Sequence, residues 1–168
     1  MEGLLGLFCE LCQHIIERGI KSDQLWNMNK TGFIQKQKTC KIVVSKGSRN
    51  VWSKSAEANF HMDFVVCVSA AETVAPPLSI FPGKRLDRDV MEGCNIEGAH
   101  FTTAPTGFIN STLFLNCIFF VASSVHDSVV CPLVLVYDCC CSHYNDDFLK
   151  KTIEIKVILI ILPANATH

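Results

Sequence analysis

The sequence lacks an excess of charge of either sign. Lys and Arg number 15 against 16 Asp and Glu, a net charge of −1, so no global field draws the chain toward phosphate. Long hydrophobic runs are missing too: the stretches around Phe114 to Ala122 and Val157 to Leu162 fall well short of the ~20 residues that a membrane helix needs. A secretory start is absent, because Glu2 stands where a signal carries positive charge and no small-residue cleavage pattern follows. There is no internal repeat and no low-complexity tract. Charged residues make up only 18% of the chain and hydrophobic ones 49%, a balance that excludes extensive disorder. These absences predict a folded, soluble, intracellular protein. Its 168 residues suffice for one domain with a real core and not for two ordinary ones. In a reducing compartment the 10 cysteines stay mostly thiols.

The elements present are those of an α/β domain. Leu4, Phe8, Leu11 and Ile15 recur at helical spacing with Leu5, Cys12 and Ile16 beside them, predicting an amphipathic helix that ends near Gly19. Leu25 to Met28 is a short strand candidate. "TCKIVVS", "HMDFVVCVSAAE" and "APPLSIFPG" read as further strands of a meander. In "NSTLFLNCIFFVASSV", Asn110 or Ser111 is an N-cap, and Leu113, Cys117, Phe120 and Ala122 to Val125 suit a largely buried helix. "PLVLVYD" is apolar without alternation, which predicts a strand covered on both faces. "NDDFLKKTIE" can cap and form a helix, and "VILIILP" is another buried strand. Strands first and then strand, helix, strand predict a mixed sheet.

Two cysteine clusters and a basic group stand out. Cys9 and Cys12 form a C-x-x-C near His14, and Cys139, Cys140 and Cys141 stand close to His143. A zinc ribbon needs two pairs at regular spacing. The first pair is expected on the apolar face of a helix, where cysteine behaves as a small hydrophobe. A zinc-stabilised or scaffold interaction module using both clusters is the alternative reading of the chain. Lys46, Arg49, Lys54, Lys84, Arg85 and Arg88 are dispersed in loops; they read as a solvated surface or as contacts to a phosphate backbone. Asp138 ends a buried strand, the place where open α/β sheets put their chemistry.

Taken in order, "LWNMNKTGF", "KGSRNV", "VCVSAAETVAPPLSIFPGKR", "GFINSTLFLNCIFF", "PLVLVYDCCCSHYNDDFL" and "VILIILPANATH" resemble the DDE superfamily endonuclease domain of pogo/Tigger-type transposases, the group that includes centromere-binding and jerky-like proteins. The resemblance runs from about Phe8 to His168. It implies an RNase H-like fold: a mixed sheet with a three-stranded antiparallel meander, parallel strands beside it and flanking helices, all within one domain over residues 1–168. It also implies Mg²⁺ as ancestral cofactor, DNA as partner, a nuclear location and no membrane.

In the family the first acid stands in a motif like Asn-Met-Asp-Glu-Thr-Gly-Phe, and the matching position here is Asn29, followed by Lys30. The second acid matches Asp138, with Ser142 and His143 kept and Cys139 replacing a glycine. Asp138 is the expected metal ligand, and Lys46, Arg49, Lys84, Arg85 and His143 are the expected nucleic-acid contacts. The third acid lies beyond a motif represented by Leu162 to His168, and the family's N-terminal helix-turn-helix domains precede the matched region. Holding two Mg²⁺ ions about 3.5–4 Å apart needs anionic ligands. One acid is too few, so the resemblance predicts a domain without nuclease activity. A missing C-terminal helix would also uncover part of the sheet, which predicts self-association.

Overall fold

The structure, a computed structural model, describes residues 2–34, 46–47, 60–86, 88–138 and 146–162. Among them the chain runs α1 (Glu2–Arg18), β1 (Leu25–Ile34), β2 (His61–Ser69), β3 (Leu78–Pro82), α2 (Arg88–Glu92), β4 (His100–Ala104), α3 (Ser111–Ser124), β5 (Leu133–Asp138), α4 (Asp146–Glu154) and β6 (Val157–Leu162). The strands form one sheet in the order β4-β3-β2-β1-β5-β6. β1 to β3 are mutually antiparallel, β5 joins β1 in parallel and β6 joins β5 in parallel. That is the RNase H-like arrangement. β4, which the sequence pattern did not signal, adds a parallel edge beside β3. The "TCKIVVS" strand lies outside the described residues.

Period-two alternation sorts the side chains between two layers of helices. Trp26, Met28, Val65, Cys67, Leu133, Leu135 and Tyr137 meet Phe114, Cys117, Ile118 and Val121 of α3 and Phe148 of α4. Phe114 tilts against Tyr137 with ring centroids 5.1 Å apart and stacks on Phe148 at 5.8 Å. On the opposite face Val134, Val136, Ile158 and Ile160 meet Leu7, Leu11 and Ile15 of α1. Coverage on both faces is why β5 reads as an unbroken apolar run. α3 is capped by Asn110, whose Oδ1 accepts the Leu113 N–H at 2.9 Å. Its buried face centres on Phe114, Cys117, Ile118 and Val121, whereas Leu113 and Phe120 are only half-buried.

α1 ends where glycine permits it, with Gly19 at φ +63° in the left-handed conformation that closes helices. The face it buries differs from the expected one. Leu5, Phe8 and Ile16 are exposed at 64%, 59% and 78%, and Cys9 and Cys12 are exposed as well. Apolar residues occupy more of this helix's circumference than the strands beneath it cover, so periodicity alone does not select the seam. The C-x-x-C thiols therefore face outward and are not core hydrophobes.

Cys67 is the opposite case. Burial pushes its thiol up from 9.0 to about 12, because a thiolate loses its hydration there. The folded state thus holds a proton that the unfolded chain releases above pH 9. Stability should fall as pH rises from 9 toward 12, by about 1.4 kcal/mol per unit from this group. Urea titrations of the protein and of Cys67→Ala across that range measure it. A variant as steep as the parent would show that Cys67 is not the source.

Candidate functional site

β1 and β5 set the site by their register. Met28 lies beside Tyr137, so one step further along both parallel strands Asn29 comes beside Asp138. Alternation puts the two residues in phase with each other and out of phase with Met28 and Tyr137. Asn29 is exposed and Asp138 half-buried. With Met28, Lys30, Val65, Ile109, Phe114 and Tyr137 they border a narrow cleft of about 30 Å³ at the carboxyl end of β5. The two positions that the family resemblance paired are therefore neighbours. β1 continues past this point to Ile34 against β2 alone, so the cleft opens where β5 stops.

Lys30 does not face Asn29. It lies opposite Val65, and its Nζ reaches Asp63 Oδ2 at 3.4 Å. Asp63 is fully buried, and both its oxygens are engaged. Oδ1 takes a hydrogen bond from His61 Nε2 at 2.8 Å, and Oδ2 accepts the Ile109 N–H at 2.8 Å. The imidazole of His61 stacks on Phe108 with centroids 3.7 Å apart. These contacts tie the 105–110 loop, and with it the start of α3, to β2. Two glycines permit the approach. A Cβ on Gly32, opposite Asp63, would stand 2.9 Å from His61 Cε1. Gly107, at φ +76°, lies directly against the His61 carbonyl.

Sequence reading missed this network, although the signal was there. "HMDFVVCV" alternates, and the parity that buries Val65 and Cys67 also buries His61 and Asp63. A buried carboxylate on a strand needs partners, which Lys30 and the "GFIN" loop supply.

The remaining expected positions are partly gathered. Lys84 and Arg85 are exposed just past the end of β3, which runs alongside β2 to the same end of the sheet as the cleft. Lys46 is exposed in a turn with Gly47. Arg49, Lys54, His143 and Cys139 to Cys141 lie outside the described residues. For a pair of divalent cations the described donors do not fit. Asn29 brings a neutral amide, Asp138 one carboxylate, and Asp63 is already occupied by an ammonium, an imidazole and a backbone N–H. No group of three or more metal-binding side chains converges among the described residues.

No protein-family model matches the sequence, and no curated protein matches it significantly. Solved structures do resemble it. A pre-cleavage Mos1 transpososome matches with TM-score 0.51 at 9% identity over 95% of this chain. A Mos1 transposase paired-end complex with left transposon end gives the same TM-score of 0.51 at 9% identity over 95%. A Mos1 mariner paired-end complex with Mn gives 0.50 at 12% identity over 94%. The chain spans 42%, 41% and 40% of the length of those chains. What it shares with the Mos1 transposase is the fold, an RNase H-like mixed sheet with helices on both faces.

Proposed function

We propose that the chain is a degenerate transposase-type domain of the pogo/Tigger kind, acting in the nucleus as a DNA-binding module that does not cut DNA. The observation that carries this reading is Asn29 beside Asp138. Where two-metal phosphodiester chemistry sets one acid against another on adjacent strands, this chain has a single carboxylate and a neutral amide. Losing one unit of ligand charge beside a dication is worth several kcal/mol even at an effective dielectric of about 20. The likeness to Mos1 complexes, one of them formed with a transposon end and one with Mn, supports DNA as the ligand and divalent metal as the ancestral cofactor. Lys84 and Arg85 at the cleft end of the sheet, and exposed Lys46, support contact to a phosphate backbone. Arg49 and His143 complete the set proposed on sequence grounds.

Duplex binding should weaken with salt at about 0.9 log units per neutralised phosphate, unchanged by EDTA, and supercoiled plasmid should stay intact in Mg²⁺ or Mn²⁺. Fluorescence anisotropy and gel assays measure both. Nicking that Asp138→Ala abolishes would refute the inactive reading. The exposed Cys9 and Cys12 thiols support a second reading, a zinc-stabilised interaction module. Near-stoichiometric zinc in the purified protein would favour it.

A further inference from the structure

At the end of the sheet where β1 gives way to β2 lies a broad hollow of about 730 Å³. Its walls include Ile34, Phe60, His61, Pro82 and Phe108, and among the described residues none that lines it is acidic. Phe60 and Phe108 present 38% and 51% of their surfaces to solvent. Two phenylalanine rings left open beside a basic loop are a poor arrangement for solubility and a good one for a flat aromatic ligand. The loop is Gly83, which lines the hollow, followed by exposed Lys84 and Arg85.

His61 forms part of the wall. Its Nε2 faces the Asp63 carboxylate, which can only accept, so Nε2 is the donor. Nδ1 is the nitrogen left over. It is buried and has no hydrogen-bond partner, with Phe108 stacked over the imidazole at an interplanar angle of 16°. A buried ring nitrogen without a partner is a cost that a polar group of a ligand can relieve.

We propose that this hollow is a stacking site for an unpaired nucleobase of single-stranded nucleic acid. The base lies against Phe108 and Phe60, and its flanking phosphates meet Lys84 and Arg85. The occupant follows from the combination of aromatic walls, a cationic rim and an unpartnered ring nitrogen. An apolar peptide would use the first of these and leave the other two idle. The inference rests on the proposed nucleic-acid function and gives it a location outside the Asn29 and Asp138 cleft.

The test is anisotropy with a fluorescein-labelled oligothymidine and a duplex of equal length, using the whole chain. The single strand should bind more tightly than the duplex. Phe108→Leu should weaken it about tenfold, while Phe108→Tyr, which keeps the ring, should leave it within about twofold. Lys84→Ala combined with Arg85→Ala should lower the single-strand salt slope by about 1.4. If Phe108→Leu does not fold, Phe60→Leu replaces it with the same expected loss. Single-strand binding indifferent to both leucine variants overturns the stacking site, as does a preference for duplex, and either result leaves the DNA-binding reading standing. No binding to either nucleic acid overturns both.

Discussion

Asp63→Ala is expected to lower folding stability by about 3–5 kcal/mol, the range seen when one partner of a buried, hydrogen-bonded charge network is removed. The carboxylate is inaccessible and holds His61, Lys30 and the Ile109 N–H together. Without it the Ile109 N–H and His61 Nε2 are stranded in a dry site, each costing about 1–3 kcal/mol, and a small cavity adds to the loss. Lys30→Met should cost less. Its side chain is 27% exposed, so solvent already screens part of the ion pair, and Asp63 keeps its other two donors. The order Asp63→Ala worse than Lys30→Met, read from denaturant midpoints, is the expected result. Equal losses would mean that the ion pair, and not the anchoring of the 105–110 loop, is the dominant contribution. Asp63→Ala should also disturb the cleft, because Ile109 and Phe114 line it and their position depends on that loop.

Asn29→Asp should create a metal site without creating a nuclease. The substitution sets two carboxylates on adjacent strands about 4.8 Å apart, on one face of the sheet, close enough to share a single hard cation. Calorimetry should show no Mn²⁺ binding by the parent and binding by Asn29→Asp with a dissociation constant on the order of 10⁻³ M. Plasmid nicking should remain absent. A second ion would rest largely on water and substrate oxygens, and loosened positioning of ~1 Å already costs about a hundredfold. Asp63 cannot serve as the additional ligand while it holds its three partners. Nicking by Asn29→Asp that vanishes in Asn29→Asp/Asp138→Ala would show that two acids suffice here. Mn²⁺ binding absent from Asn29→Asp would show that the two side chains do not converge.

How much of this was legible from residues alone varies with the kind of signal. Gly19 and Asn110 announced helix ends because the requirement each meets, a left-handed residue and a side-chain acceptor, is local. β5 was legible because coverage on both faces leaves no polar position, and Asp138 at its end followed directly. The seam of α1 was not. Leu7 and Phe8 are equally apolar, and only the strands they meet decide between burying one and exposing the other. β4 escaped notice for a related reason. His100 to Ala104 forms an edge strand with a half-exposed, polar pattern, so nothing in its composition demands a sheet. The burial of Asp63 was legible in the alternation of β2, but apart from His61 its partners were not, since they come from Lys30 on β1 and from a loop more than forty positions further along the chain.

The central place of β1 also governs the order in which the sheet can assemble. Its pairing with β2 is fairly local, but Met28 meets Tyr137 more than a hundred residues away. During synthesis β1, β2 and β3 can zip together once Pro82 is clear, while Leu133 emerges roughly fifty residues later. At about 5–20 residues per second that interval lasts several seconds. Throughout it the edge of β1 carrying Trp26 and Met28 is unpaired, an apolar strand edge of the kind that recruits other chains. Refolding from denaturant should accordingly be slow, and its yield should fall as protein concentration rises.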